Sequence, residues 1–174
     1  MIKKKFLVSE LFYIDTTKSF NKDALEPYTK EEKYEYVTRT SENNGVSAYT
    51  GYVNDTHLNS GGTFSLGLLQ LDIFYREKKW YAGQFVRKIT PKFEMNEQLA
   101  LYFQTVLNKL KPVLQKGLVR DIDDAFLNEY IELPVKQIDD NNPDFSYMEA
   151  YIKKIQKEVI AEIKKELDLQ SMSL

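Results

Sequence analysis

The chain has 174 residues, of which 43% are hydrophobic and 29% charged, values typical of a soluble globular domain with a sizeable core. It has no cysteine, which excludes disulfide scaffolds and cysteine-based zinc sites, and its formal net charge is −2. No apolar run approaches the roughly 20 residues needed to span a bilayer, and the basic start at Met1–Lys5 lacks the apolar stretch of a secretory signal. We therefore expect a cytoplasmic protein with no membrane association.

The charges are segregated along the chain. Arg76–Arg120 contains ten basic and three acidic side chains, whereas Asp121–Tyr147 contains eight acidic side chains and one basic one. Such segregation creates local fields that the net charge conceals. The basic segment favours a surface for a polyanion, and the alternative is that both segments are ordinary solvated faces.

The first half of the chain predicts short strands separated by polar turns. A strand-like segment at Phe6–Ile14 is interrupted at Ser9-Glu10, and Tyr34–Thr38 alternates as a strand does. Ser41–Gly45 predicts a turn, because Asn tolerates left-handed geometry and Gly adopts it without steric cost. Two more strands are predicted, at Val46–Val53 and Thr63–Leu69.

The middle of the chain predicts a hairpin followed by a helix. Asp72–Tyr75 and Trp80–Ile89 are β-rich and are joined by the short polar segment Arg76–Lys79. Asn96 is a typical N-cap, and apolar residues follow it at helical spacing. Pro112 is expected to end or kink that helix.

The C-terminal segment predicts a long helix with a narrow apolar stripe. It follows a strand predicted at Phe126–Val135 and an acidic loop at 139–143. About 25 helical residues would extend for roughly 37 Å, longer than a small domain needs to cover its own core. A stripe this narrow favours one partner helix, and the alternative is that it packs on its own globular part. The apolar stripe consists of Met148, Ile152, Ile155, Val159, Ile163 and Leu167.

Few residues suggest catalysis. His57, the single histidine, lies in a loop-like segment where solvation is favoured over a metal-binding or acid–base role, and neither nucleophile-elbow nor methyltransferase motifs occur. Asp72, Glu77 and Lys79 resemble the Asp…Glu-x-Lys set of metal-dependent nucleases. The predicted hairpin, however, places the last two at the far end of the strand from Asp72. We expect a non-catalytic protein with no metal or cofactor, and a small magnesium-dependent nuclease is the enzymatic alternative.

Polar and basic side chains around the predicted strands favour binding to double-stranded DNA. Arg suits guanine in the major groove, Asn and Gln suit adenine, and cations suit phosphates. The candidate DNA-binding residues are Arg39, Asn43, Asn44, Lys78, Lys79, Gln84, Arg87 and Lys88.

Four blocks of the sequence follow one another in this order: Ser9–Ile14 with Thr17–Ser19; Tyr36–Thr40 with Asn43–Val46; Phe74–Tyr75 with Trp80–Val86; and Asn96 with Leu101–Phe103. In this order they resemble a target recognition domain of the DNA-specificity subunits of type I restriction–modification systems, close to the related type IIB and IIG specificity proteins. The segment 144–148, which opens the long helix, is similar to the start of that family's spacer helix.

The resemblance implies an α+β fold, with a mixed, mostly antiparallel, β-rich target recognition domain at 1–143 and a coiled-coil-like spacer helix at 144–170. Family members usually carry two such domains whose helices pair antiparallel, so this chain is expected to be a half-subunit that forms a homodimer through its helix. The implied DNA target then has two half-sites about one DNA turn apart.

The resemblance also implies a methyltransferase subunit as partner, which itself binds S-adenosylmethionine, and a restriction subunit where the assembly cleaves DNA. Base-contacting residues differ between family members, so none is carried over to this chain. The alternative without DNA is an interaction module that dimerises through its C-terminal helix.

Overall fold

Three β-sheets and five α-helices make up the part of the chain that the computed structural model describes, residues 1–117, 119–136 and 141–171. The strands are β1 (Ile2–Leu7), β2 (Phe12–Thr16), β3 (Tyr34–Val37), β4 (Val46–Thr50), β5 (Leu58–Asn59), β6 (Thr63–Gly67), β7 (Ile73–Arg76), β8 (Trp80–Ala82), β9 (Val86–Pro91) and β10 (Tyr130–Val135). The helices are α1 (Val8–Leu11), α2 (Glu97–Asn108), α3 (Lys111–Leu114), α4 (Ile122–Leu127) and α5 (Phe145–Ser171). Short 3₁₀ turns occupy Lys22–Ala24, Glu42–Gly45 and Val119–Asp121.

The strand pairs are mostly antiparallel. β1 pairs with β10 at one side of the molecule, and the middle sheet has the order β2-β9-β6-β7. The third sheet has the order β4-β3-β8-β5, in which β3 and β8 run parallel. This mixed architecture, followed by a long C-terminal helix, confirms the predicted α+β fold.

The two faces of the middle sheet serve different purposes. Alternate residues of a strand point to opposite faces, so Phe64, Leu66 and Ile89 pack into the main core. There they meet α2, whose Phe103 ring lies 5.4 Å from that of Phe12. The opposite face is turned toward the third sheet, where the buried Trp80 indole donates a 3.1 Å hydrogen bond to the Thr63 hydroxyl.

Helix α2 begins where the sequence predicts, and it also covers a sheet edge. The Asn96 side chain accepts a 3.0 Å hydrogen bond from the Leu99 amide, as an N-cap does. The Asn108 amide bonds both backbone groups of Ile73, at 2.9 and 2.7 Å, and the Gln104 side chain accepts from the Tyr75 amide at 2.7 Å. Side chains of α2 therefore occupy both outward backbone groups of Ile73 and the amide of Tyr75 along the edge strand β7.

The predicted hairpin between β7 and β8 is wrong. β7 pairs with β6 in the middle sheet, whereas β8 lies between β3 and β5 in the third sheet. Trp80, Tyr81 and Ala82 are all buried, so β8 is an interior strand, and the polar segment before it crosses from one sheet to the other. The predicted strand at Trp80–Ile89 is likewise divided between two sheets, because the chain turns at 83–85.

One further expectation is corrected near the C-terminus. The strand predicted from Phe126 begins only at Tyr130, because Ile122 and Phe126, four residues apart, bury one face of α4. Residues 139 and 140 of the predicted acidic loop lie outside the described residues. None of the helices within the described ranges is both long and apolar enough to cross a membrane.

Helix α5 packs on the globular part only at its start. It has 27 residues, which corresponds to about 40 Å. Met148 is fully buried against the core, and the Phe145 and Phe93 ring centroids lie 4.7 Å apart. Beyond this contact, exposure rises along the apolar stripe. It is 37% at Ile155, 47% at Val159, 50% at Ile163 and 59% at Leu167.

Candidate nucleic-acid interface

Three loops meet at one end of the third sheet. Because β3 and β8 are parallel, the segments that follow them leave the sheet at the same end. The Gly83 amide donates to the Val37 carbonyl at 2.8 Å, and the Leu68 amide donates to the Phe85 carbonyl at 2.9 Å. These bonds bring together residues 38–45, 67–72 and 83–85, which we call the loop face.

Backbone strain is concentrated on the loop face. Asn43, Asn44, Leu71 and Phe85 have φ values of 46°, 53°, 59° and 60°, and no other non-glycine residue in the described part of the chain has a positive φ. The left-handed geometry predicted for the Asn43-Asn44 turn is thereby confirmed. Leu71 and Phe85 are bulky, and such residues adopt this conformation only where the surrounding structure enforces it.

The buried side chain of Arg76 fastens one of these loops. Only 2% of it is exposed, and its Nε donates to the Ser65 hydroxyl at 3.0 Å. Its Nη1 lies 2.7 Å from the Glu35 carboxylate, and its Nη2 donates to the Asn44 carbonyl. Burial lowers the pKa of Arg76 below its ordinary value, while Glu35 opposes that shift. A hydrogen-bonded ion pair therefore fixes the loop.

Gly45 completes this arrangement. Its φ of +81° belongs to the left-handed region that favours glycine, and a Cβ there would lie 3.3 Å from Nη2 of Arg76. The glycine lets the loop come close to the buried guanidinium.

A second ion pair fastens the loop face to α3. Lys111 Nζ lies 2.6 Å from the Asp72 carboxylate, which also accepts a hydrogen bond from the Ser41 hydroxyl. Partial burial raises the pKa of Asp72, but the bonds from Lys111 and Ser41 outweigh it, so the net pKa lies below the ordinary value. Asp72 is therefore a structural link between two of the loops and the helical part.

Four of the eight candidate residues lie on the loop face. Arg39 is exposed, and its guanidinium carbon lies 5.1 Å from the centroid of the Phe85 ring. Asn43 donates its amide to the Val46 carbonyl at 3.1 Å, so part of its hydrogen-bonding capacity maintains the turn. Asn44 is exposed, and Gln84 donates to the Asn21 side chain at 3.3 Å.

Lys78 and Lys79 lie away from the loop face. They precede β8, whose other end reaches the loop face, so they occupy the opposite end of the third sheet. There they border a groove that is also lined by Lys30, Lys33 and Tyr49.

Arg87 and Lys88 are adjacent on β9 and therefore point to opposite faces of the middle sheet. Arg87 lies on the face of Ile89 and donates to the Asp123 carboxylate at 2.8 Å, with only 17% of its side chain exposed. Lys88 lies on the face of Val86. The eight candidates therefore do not form one surface.

Several basic side chains of the segment Arg76–Arg120 are paired with acidic side chains in the folded protein. Arg76 forms an ion pair with Glu35, Arg87 with Asp123, and Lys111 with Asp72. A charged partner nearby reduces the field that such a side chain projects into solvent.

The residues considered for catalysis do not share one site. Asp72 precedes β7 and Glu77 follows it, so the two carboxylates lie at opposite ends of that strand. The His57 ring bonds Asn54 through Nδ1 at 2.8 Å and packs edge-on against Phe20 at 5.6 Å. Among the residues that the structure describes, no cluster of three or more His, Asp or Glu side chains could hold a metal ion.

Two exposed apolar residues of the loop face were not predicted from the sequence. Phe85 is 52% exposed, and Leu69 is exposed in the neighbouring loop. Both fell inside segments predicted as strands. The Gly83-Gln84 pair was the available signal, since it interrupts the β-rich run with turn-forming residues.

A groove of about 280 Å³ lies at the base of α5 and continues the apolar stripe. It is lined by α2, α5 and the start of β1, and its aromatic wall has the Tyr102 and Tyr151 rings 6.3 Å apart. This second surface is separate from the loop face in sequence and in character.

Comparison with known proteins identifies the class of fold. The sequence profile of the type I restriction modification DNA specificity domain matches residues 3–165. The chain belongs to this family. No curated protein matches it in sequence.

Solved structures agree at the level of the fold. The HsdS subunit from Thermoanaerobacter tengcongensis superposes with a TM-score of 0.60 at 14% identity over 91% of this chain. The S subunit from M. genitalium gives 0.55 at 15% identity over 95%, and a structure of the type I R-M system gives 0.54 at 13% over 97%. The chain spans only 38% to 42% of the length of those three proteins.

Proposed function

We propose that this protein is the sequence-specific DNA-recognition component of a restriction–modification complex. The family match over 3–165 carries the proposal. The loop face supports it, because exposed Arg, Asn and Gln side chains stand there on strained loops that two ion pairs fasten. Such preorganised polar groups suit the reading of base edges.

Within this proposal, residues 1–143 recognise DNA and residues 144–170 act as the spacer. A helix of about 40 Å is close to one turn of B-DNA, which is roughly 34–36 Å. Two recognition domains held apart by such a spacer would address a bipartite target. Lys78, Lys79 and Lys88, which lie outside the loop face, would then contact phosphates.

The exposed part of the apolar stripe supports a homodimer through α5. Apolar side chains along one face of a protruding helix favour a second helix as their partner. An antiparallel copy centred near Ala161 would bring Ile155 opposite Leu167 and Val159 opposite Ile163. Met148 is buried in its own core, so it would support the helix from within and would not contact the partner.

We further propose that the catalytic work belongs to partner subunits in the cytoplasm. A methyltransferase subunit with its own S-adenosylmethionine would modify the target, and a restriction subunit would supply any cleavage. This chain would contribute specificity and would need no cofactor.

Reconstitution with the methyltransferase subunit tests the function. The complex is incubated with plasmid libraries and S-adenosylmethionine, and methylated positions are mapped by sequencing. We expect methylation at one bipartite motif, and none with either subunit alone. Methylation without sequence preference would show that this chain does not confer specificity.

A second candidate, an interaction module that dimerises without DNA, is favoured only by the exposed stripe. The same preparation separates the two ideas. A dimer in light scattering that neither binds DNA nor supports methylation would favour the module.

A further inference from the structure

We propose that Arg39 reads a guanine base and that Phe85 is the positioning residue that holds the Arg39 guanidinium for this contact. The inference rests on the proposed DNA-recognition function. It assigns one base type and two side chains to that function, and Phe85 was not among the residues that the sequence indicated.

The first observation separates Arg39 from the other arginines. The chain has four. Arg76 and Arg87 are held by Glu35 and Asp123, and Arg120 lies 3.5 Å from Asp121. Within the described residues Arg39 has no ion pair or side-chain hydrogen bond, and it is exposed on the loop face. It is the arginine whose five donors are available to a ligand.

The second observation is that the backbone of Arg39 is fixed. Gly67 of β6 lies directly against it, and a Cβ on that glycine would be 2.7 Å from the Arg39 Cα. The preceding residue, Thr38, donates its amide to the Gly45 carbonyl at 2.9 Å. The side chain therefore projects from a point that is held by both the middle sheet and the adjacent turn.

The third observation concerns Phe85. Its φ of 60° is a strained conformation for a bulky residue, and its ring is half exposed. Burial of the ring in the core therefore does not compensate for the strain. Its carbonyl is held by the Leu68 amide at 2.9 Å. The ring lies 5.1 Å from the Arg39 guanidinium carbon, within the range of a cation–π contact.

Together these features favour guanine over a phosphate as the ligand. A guanidinium presents a planar fork that matches the O6 and N7 acceptors of guanine with two hydrogen bonds, whereas a phosphate can be met by any cation. Limiting the rotamers of Arg39 in advance reduces the entropy lost on binding, which matters most for a contact with strict geometry. The aromatic support is therefore suited to base reading.

The test uses the reconstituted complex with its methyltransferase subunit and random-sequence DNA, followed by sequencing of the bound fraction. The wild type is expected to select a guanine at one position of each half-site. Arg39→Lys keeps the charge and removes the fork, so it should reduce that preference roughly tenfold or more. Phe85→Ala should reduce it as well, whereas Phe85→Trp, which keeps an aromatic face, should largely restore it.

Tyr13→Ala is the matched control. Tyr13 is another exposed ring beneath a cation, with Lys92 Nζ 4.2 Å from its centroid, but it lies on β2 away from the loop face. We expect the control to leave base preference unchanged. With the wild type, 7-deazaguanine at the selected position should weaken base preference as Arg39→Lys does, because it lacks the N7 acceptor. With Arg39→Lys, the same replacement should cause little further loss of preference.

The outcomes separate the inference from the function on which it rests. A wild-type complex that selects a motif whose guanine preference survives Arg39→Lys overturns the guanine assignment and leaves DNA recognition intact. If Phe85→Ala behaves like Tyr13→Ala, Phe85 is not a positioning residue. A wild-type complex that selects no motif contradicts the proposed function itself. Circular dichroism of each variant checks that it is folded.

Discussion

The loop face and the outer half of α5 are two exposed regions built on opposite principles. On the loop face, polar side chains and strained backbone are tied to the core by Arg76 and Asp72. On the outer half of α5, apolar side chains from Ile155 onward become progressively more exposed. The first surface is held in one conformation by its contacts with the core, which suits a ligand of fixed shape. The second surface leaves apolar side chains exposed, and in the proposed homodimer another chain would bury them.

Substitutions in the two regions should therefore have different effects. Damage to the internal supports of the loop face should affect stability and specificity together. Damage to the stripe should affect association and leave each folded domain intact. Four substitutions test this difference, and they follow in order of decreasing expected effect.

The largest effect is expected from Arg76→Met. The substitution removes a buried charge together with its bonds to Ser65, Glu35 and the Asn44 carbonyl. We expect a loss of about 3 kcal/mol in the free energy of unfolding, measured by urea denaturation. Arg120→Met, which alters an exposed arginine, should change stability by less than about 0.5 kcal/mol. Equal losses in the two variants would refute a special role for the buried network.

Next in size is Ile163→Glu in the middle of the stripe. A charge at this position would have to be desolvated against the partner helix, so we expect the dimer dissociation constant to rise by roughly two orders of magnitude. Sedimentation measures the change, and thermal unfolding of the domain should be nearly unaffected. Lys157→Glu, on the face of the helix away from the stripe, is the control. A dimer that tolerates Ile163→Glu would exclude the stripe as its interface.

A smaller effect is expected from Gly67→Ala. The added Cβ would lie 2.7 Å from the Arg39 Cα, so the turn after β3 must shift. We expect a loss of about 1–2 kcal/mol in stability together with weaker selection of the predicted guanine. Gly117→Ala, where the nearest atom would be 3.6 Å away, should be tolerated. Unchanged base selection in the Gly67 variant would show that the Arg39 backbone need not be fixed.

The smallest effect is expected from Asp72→Asn, and it should depend on pH. The Asp72 pKa is lowered in the folded protein, so its charged form adds stability above the ordinary value of 3.8 and loses it as the pH falls through the folded pKa. We expect the wild type to exceed the variant by about 1 kcal/mol at neutral pH. The two unfolding curves should converge below about pH 4. A difference that persists in acid would have to arise from something other than this ion pair.

The parts of the fold that could be predicted are those set by local chemistry. The Asn96 cap, the left-handed Asn43-Asn44 turn and the helical spacing after Leu99 depend on neighbours within four residues. Pairing between strands depends on residues far apart in the sequence, and it is this pairing that places β7 and β8 in different sheets. A short polar connection between two β-rich runs is as compatible with a crossing between sheets as with a hairpin.

The candidate surface shows the same division. Arg39, Asn43, Asn44 and Gln84 were identified by side-chain type, and the parallel pairing of β3 and β8 brings them together. Arg87 has the same chemistry, but it lies beside Asp123, a contact between residues 36 positions apart that composition does not reveal. Phe85 looked like a strand residue because its strained backbone is a property of the assembled loops.

The amide side chains of α2 that bond the backbone of β7 limit how copies of this protein can associate. Ile73 and Tyr75 would otherwise present open backbone groups to any extended segment, but Asn108 occupies both groups of Ile73 and Gln104 occupies the amide of Tyr75. Strand addition along this edge is therefore blocked, and so is the edge-to-edge aggregation that begins with it. At this edge, association is left to side-chain fit, which is a more selective chemistry than backbone pairing.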